Sequence, residues 1–280
     1  MNDPRSAGVR DDVIARLRAA GCVFAEEEAD LLLAATGDEA AREDLVRRRV
    51  AGDPLEYLLG WAAFDDVRVH VRAGVFVPRR RTLLLARLAA DTLGATGPAT
   101  VLELCCGAAA VTAWLARHVA ADTRGDTGER RIRLIAADID PDAVACARRN
   151  APDALVLAGD LFDPLPPDLA GTVDVVVANA PYVPTDAIGS MPSEARDHEH
   201  RVALDGGPDG LDVQRRIAAD VGRWLAPGGT VIVETSAGQA TTSARLFADA
   251  GLATRIVRDE QTDGTVVVAR REPGAAAERA

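Results

Sequence analysis

From about residue 82 onward the chain alternates short apolar runs with amphipathic stretches of helical period, a rhythm few architectures accept. The runs near 100–104, 132–137, 154–157, 173–178 and 229–234 read as strands, and the stretches near 108–120, 141–150, 211–224 and 237–249 read as helices. Strand, helix, strand in regular succession predicts a parallel sheet with helices on both faces. Two last apolar segments, near 253–258 and 264–269, are joined by a polar turn from Asp259 to Gly264. They predict an antiparallel hairpin closing that sheet.

The region before this rhythm is different. Residues 8 to about 59 carry helical patterns around Val13, Ile14 and Leu17, around Leu31 to Leu33, and around Leu45, Val46 and Val50. Gly21, Gly37 and Gly52-Asp53-Pro54 punctuate them. Glu26-Glu27-Glu28 and Asp38-Glu39 read as a solvated face. From Trp61 to Val77 the period shortens, with Val67, Val69 and Val71 interleaved with Arg68, His70 and Arg72, which predicts a half-buried hairpin. The expected organisation is a helical domain over 1–60, a hairpin linker over 61–81, an α/β domain over 82–271 and a flexible tail over 272–280. Ala121 to Arg130 is expected to be a loop without chemistry.

With 280 residues, 48% of them hydrophobic and only 4% aromatic, the core must be built from Ala, Val and Leu. A net charge of -11 disfavours nucleic acid as a direct substrate, because such binding neutralises phosphates with basic side chains. The first residues, Met1-Asn2-Asp3-Pro4-Arg5, lack the apolar core of a signal peptide, and no run of about 18 apolar residues occurs. The expectation is a cytoplasmic protein outside the membrane. Cys22, Cys105, Cys106 and Cys146 fit neither a disulfide framework nor paired zinc ligands. No metal site is expected, and Asp197, His198, Glu199 and His200 are read as lining a cleft or capping a helix.

Three strand ends share the carboxyl edge where open α/β sheets bind ligands. Val101-Leu102-Glu103-Leu104 runs into Cys105-Cys106-Gly107-Ala108-Ala109-Ala110, where small residues let backbone N–H groups approach a ligand. One glycine there, where three are common, leaves this turn alone open to a purely structural reading. The second strand ends at Asp138, whose carboxylate suits both ribose hydroxyls of a nucleoside, while Asp140 ahead of Pro141 is the better helix cap. After the third strand comes Gly159-Asp160-Leu161-Phe162. Asp160 is placed to reach an adenine amino group, and Leu161 and Phe162 to pack on the ring.

The fourth strand, Val173 to Ala178, ends in Asn179-Ala180-Pro181-Tyr182. An amide nitrogen is a poor nucleophile because its lone pair is delocalised into the carbonyl. A catalyst must therefore hold both N–H groups so that the lone pair turns toward an electrophile. The Asn179 side-chain oxygen and the Ala180 carbonyl can each accept one N–H, Pro181 stiffens the turn, and Tyr182 can lie against the planar group. Taken alone, the tetrapeptide also suits an ordinary turn after a strand.

These residues resemble the HemK/PrmC family of protein-glutamine N5-methyltransferases over nearly the whole chain. The likeness is carried by the helical region, Pro54-Leu55-Glu56-Tyr57-Leu58-Leu59-Gly60, Val77-Pro78-Arg79, the Asn179 tetrapeptide and Ala203-Leu204-Asp205-Gly206-Gly207-Pro208-Asp209-Gly210-Leu211. It implies a Rossmann-like class I methyltransferase fold and S-adenosylmethionine as methyl donor. Glu103, Cys105, Gly107, Ala109, Asp138, Asp160, Leu161 and Asn179 are then expected at the donor, and Asn179 to Tyr182 at the acceptor. By the same resemblance the acceptor is a glutamine of a Gly-Gly-Gln motif in a release factor, or of a ribosomal protein, with the helical domain helping to dock it.

Several positions depart from the family pattern. Ala180 stands for the first proline of Asn-Pro-Pro-Tyr, Cys105 and Ala109 replace the outer glycines of the cofactor turn, and Glu103 is its leading acid. Arg80 and Arg81 lie in a stretch where the family has proline and a carboxylate, Leu83 lacks the second carboxylate, and His200 replaces a proline. The alternatives kept open are an amino group of a nucleic-acid base or small molecule as acceptor, and a non-catalytic binding module. Ala109 is expected to weaken donor binding if its φ is positive, and to be harmless if it is helical.

Overall fold

The computed structural model describes residues 4–93, 98–119 and 131–273. The stretch Ala121 to Arg130 and residues 274–280 of the expected tail lie outside the described residues.

Helices α1 (Pro4–Ala19), α2 (Ala25–Ala35), α3 (Glu39–Val50) and the short α4 (Leu55–Leu59) come first. They share a core of Val13, Ile14, Leu17, Ala25, Ala29, Leu32 and Val46. Asp38 caps α3 by accepting from the Ala41 N–H, and Gly60 ends α4 in a left-handed conformation at φ 76. Strands β1 (Trp61–Phe64) and β2 (Val67–His70) pair antiparallel around Asp65-Asp66. This hairpin is pinned to the rest of the chain by Asn150, which accepts from the His70 N–H and donates to the carbonyls of His70 and Ala108.

Helix α5 (Leu83–Thr92) follows, an element absent from the sequence reading; its Leu83, Leu84, Leu85, Ala86 and Ala89 are buried. The remaining elements are β3 (Ala99–Leu104), α6 (Ala110–His118), β4 (Ile132–Asp138), α7 (Pro141–Asn150), β5 (Leu155–Ala158) and β6 (Val173–Ala178). After these come α8 (Ser193–His198), α9 (Asp212–Trp224), β7 (Leu225–Glu234), α10 (Ala240–Asp249), β8 (Ala253–Asp259) and β9 (Gly264–Arg270). The seven-stranded sheet has the order β5-β4-β3-β6-β7-β9-β8. The first five strands of that order run parallel, and β9 and β8 close the sheet antiparallel.

Both faces of the sheet are covered, as parallel strands require. Along β3, β7 and β9 alternate residues enter two cores. Val101, Ile232, Val266 and Val268 face α5, α6 and the hairpin, whereas Leu102, Val231, Val233 and Val267 face α9 and α10. The expected α/β class is therefore what the chain adopts. Strand order reverses between β3 and β6, so their carboxyl ends border a crevice.

Candidate active site

A cavity of about 430 Å³ lies at that crevice. Its walls include Glu103, Cys105, Gly107, Asp138, Asp160, Leu161, Asn179, Ala180, Pro181 and Tyr182, so residues from four strand ends meet in one space. Ala109 is fully buried beneath the turn and does not line the cavity. Phe162 corrects the sequence reading as well: it is buried and stacks on Trp224 with ring centroids 5.9 Å apart, leaving Leu161 alone on the cavity side. Leu161 itself takes a left-handed conformation at φ 47 in this turn.

The turn after β3 is held from both sides. The Gly107 N–H donates to Asp138 Oδ2 at 2.7 Å, and the Cys106 N–H donates to the Ala137 carbonyl at 3.1 Å. Cys105, Gly107 and Ala109 all have positive φ, at 50, 53 and 57. The condition under which Ala109 is costly is thus met, at about 1–2 kcal/mol for each non-glycine residue so placed. A Cβ on Gly107 would meet nothing within 4 Å, so the turn leaves open space above its backbone for a ligand. Glu103 lies behind the turn, 5% exposed, and accepts from the Thr112 N–H at 2.8 Å and from the Thr112 hydroxyl. Burial pushes its carboxyl up to about 7, with the Thr112 bonds pulling the other way.

Asp138 accepts from the N–H groups of Gly107 and Asp140, and burial raises its pKa. Asp140 caps α7, as expected, by accepting from the Asp142 N–H at 2.9 Å. Asp160 pairs with Arg216 at 2.6 Å. These residues fit a nucleoside-bearing methyl donor: small side chains around an open turn, a carboxylate at each of two strand ends, and an apolar wall from Leu161 and the exposed Ile139.

At the end of β6, Asn179 is half-buried and donates through Nδ2 to Thr82 Oγ1 at 3.4 Å. The Tyr182 hydroxyl donates to Glu234 Oε1 at 3.3 Å, and burial pushes that phenol up to about 12. The glycines of the 203–211 stretch find their reason here. A Cβ on Gly206 would come 2.7 Å from the Pro181 carbonyl oxygen, and one on Gly210 would come 2.3 Å from that of Tyr182. Backbone bonds between Val183 and both Leu204 and Gly206 lock the two segments together.

Two residues of the arginine run face buried carboxylates. Arg79 pairs with the buried Glu199 at 2.5 Å, and Arg81 faces the buried Glu234 at 3.3 Å and lies 6.0 Å from the Tyr182 ring. Glu199 also accepts from the Val77 N–H. His200 packs on Gly74, donates its N–H to the Gly74 carbonyl, and places Nδ1 2.6 Å from Asp140 Oδ2. Asp197 instead pairs with its neighbour Arg196 away from the cleft. Of the four residues read as lining a cleft or capping a helix, Glu199 both lies in the cavity wall and caps the end of α8.

Sequence reasoning missed Thr82 and Glu234. For Glu234 a signal existed: Val231-Ile232-Val233-Glu234 ends in an acid at the carboxyl edge, just as β4 ends in Asp138. Thr82 had none, since its place depends on how α5 packs.

No protein-family model matches the chain. It is 40% identical over 210 residues to the release factor glutamine methyltransferase of Mycolicibacterium smegmatis, spanning 74% of this chain and 69% of that one. It is 34% identical over 272 residues, 89% of each chain, to the 4-amino-L-phenylalanine/4-methylamino-L-phenylalanine methyltransferase of Streptomyces pristinaespiralis. Among solved structures, a methyltransferase from Pyrococcus furiosus matches with a TM-score of 0.50 at 15% identity, over 83% of this chain and 99% of that one. That last likeness is one of fold. Among the described residues no helix is long and apolar enough to cross a membrane.

Proposed function

The chain belongs to the HemK/PrmC family of glutamine methyltransferases and is an S-adenosylmethionine-dependent methyltransferase, and from that premise we propose that it methylates the side-chain amide nitrogen of a glutamine in a release factor. The observation carrying this reading is the placement of Asn179 and Ala180 on the wall of the same cavity as the turn at Gly107. One wall offers acceptors to a planar NH₂ while the other offers an open backbone turn.

When bound, S-adenosylmethionine supplies an electrophilic methyl group on a sulfonium. Cys105, Gly107, Asp138, Asp160 and Leu161 would hold it, with Glu103 fixing the turn from behind. Asn179 Oδ1 accepts one N–H of the glutamine amide and the Ala180 carbonyl accepts the other, which presents the nitrogen lone pair to the donor. The Tyr182 ring lies against the amide plane. With the methyl group taken from the sulfonium, which would be left as a neutral thioether, the nitrogen gives up one proton to water, and the neutral N-methyl amide is the product. The helices α1–α4 serve to dock the partner, with Val23 and Phe24 exposed at the turn between α1 and α2. A translation-factor target puts the enzyme in the cytoplasm.

The test is incubation with methyl-labelled donor and purified release factors, followed by peptide mass spectrometry. Label on the glutamine of Gly-Gly-Gln supports the reading. Label on no glutamine, or transfer only to a free arylamine amino acid such as 4-aminophenylalanine, overturns it.

A further inference from the structure

A carbonyl oxygen accepts hydrogen bonds and never donates them, so two carbonyls bonded to one carboxamide nitrogen take up both of its protons. Gln239, at the N-cap position of α10, is held in this way. Its Nε2 donates to the Tyr182 carbonyl and to the Asp209 carbonyl, each at 2.9 Å. The Ser236 hydroxyl donates to its Oε1 at 2.6 Å. Turned over, the carboxamide would set Oε1 against two carbonyl oxygens, so one orientation alone satisfies all three neighbours.

The peptide group that follows Tyr182 is thereby held from both sides. Its N–H, that of Val183, donates to the Leu204 carbonyl at 3.1 Å, and its carbonyl accepts from Gln239. The Tyr182 Cα lies in that peptide plane, so pinning the plane fixes the point from which the ring extends. The far end of the ring has the longer bond, 3.3 Å from its hydroxyl to Glu234 Oε1. The second carbonyl, of Asp209, belongs to the glycine-rich stretch whose Ala203 and Leu204 line the cavity. A Cβ on Gly210 would come 2.3 Å from Gln239 Nε2, so the carboxamide crosses the stretch where a side chain would block it.

We propose that Gln239 is a positioning residue for the acceptor site, tying Tyr182 and the 203–211 stretch to the start of α10 so that the Tyr182 ring keeps one place at the cavity wall. Ser236 fixes the orientation of the carboxamide that does this. The proposal rests on the reading of Tyr182 as the residue lying against the acceptor.

The test uses the full chain with tyrosine labelled with ¹³C at Cζ. The two tyrosines, Tyr57 and Tyr182, give two signals, and Tyr57→Phe assigns them. Gln239→Met keeps the length of the side chain and removes its three hydrogen bonds. In it the Tyr182 signal is expected to shift or broaden. The Tyr57 signal, from a ring whose hydroxyl donates to the Val75 carbonyl, stays in place. Ser236→Ala is expected to disturb the Tyr182 signal less, and Ser236→Thr, which keeps the hydroxyl, to leave it at the wild-type position. In parallel, KM for a Gly-Gly-Gln peptide should rise about tenfold in Gln239→Met, as for one or two lost hydrogen bonds, while donor affinity by calorimetry stays within about threefold. An unchanged Tyr182 signal in Gln239→Met overturns the proposal. So does a joint disturbance of both tyrosine signals with loss of donor affinity in Gln239→Met and Ser236→Ala alike, which marks a general loosening of the fold. The tyrosine signals need no acceptor, so an error in the acceptor's identity leaves that measurement intact.

Discussion

Arg49 Nη1 lies 2.5 Å from Glu194 Oε1, and the same guanidinium places Nε 2.6 Å from Glu28 Oε2. One buried side chain on α3 thereby joins α2 to α8, and Glu194 and Ala195 of α8 line the cavity. Glu28 departs from the solvated face expected of Glu26-Glu27-Glu28, because it is 8% exposed and needs a cation. The helical region is therefore coupled to the mouth of the site by charge as well as by chain connectivity.

Removing one partner of this network leaves Glu28 buried and uncompensated. Arg49→Ala is expected to destabilise the protein by about 3–5 kcal/mol in denaturant unfolding. Glu194→Gln cuts only the link to α8. It should leave the melting temperature close to wild type while raising KM for a protein acceptor and sparing donor affinity.

Ala109 and Cys105 occupy left-handed backbone at φ 57 and 50. Ala109→Gly relieves strain of about 1–2 kcal/mol, against about 0.4–1 kcal/mol of extra unfolded-state entropy. The net expectation is a slightly more stable turn and S-adenosylmethionine bound up to about fivefold tighter, read by calorimetry and thermal melts. Ala109→Val should do the reverse.

Asn179→Ala removes the side-chain acceptor and leaves the Ala180 carbonyl. kcat/KM for the acceptor should fall by about 10²–10³, as for loss of one oriented polar group in a buried site. Donor affinity measured by calorimetry should change far less, which separates a role at the acceptor from one at the donor.

Glu103 carries its carboxyl at about 7 in the folded protein, mainly through burial, against an ordinary value of 4.5. Between those two values the folded state binds more protons than the unfolded chain, so stability falls as pH rises through this window. Below it both states are protonated and above it both are ionised, and the slope from this group vanishes. Glu103→Gln should flatten the pH dependence of unfolding free energy between about 4.5 and 7.

Much of the frame was legible in the sequence. The apolar runs at 132–137, 173–178 and 264–269 reappear as β4, β6 and β9 with ends shifted by a residue or none, because a strand buried on both faces must be a continuous apolar run. Helix α6 starts at Ala110, later than expected, since a turn with three positive-φ residues precedes it. Strand β7 begins at Leu225, before its apolar stretch, and its pairing with β6 shifts register between Val173 and Val175. Helix α5 escaped notice because Leu83-Leu84-Leu85 and Ala89-Ala90 lack a polar face to mark a period.

The sequence by itself determined which residues stand at the carboxyl ends of the strands, since period and turn residues are local and each carboxyl-edge motif is contiguous. Glu103, Asp138, Asp160 and Asn179 each belong to such a motif. Only the tertiary structure decided how those groups are held. Thr82 and Asn179 are 97 residues apart, Tyr182 and Glu234 52, and Arg49 and Glu194 145. No local pattern encodes such contacts; they exist because the crossover connections set β6 beside β7, pack α5 against both strands and bring α8 to the wall of the cavity. Asn179 to Tyr182 are contiguous in the sequence, and only the packing of the sheet sets Asn179 Nδ2 against Thr82 Oγ1 at 3.4 Å and the Tyr182 hydroxyl against Glu234 Oε1 at 3.3 Å.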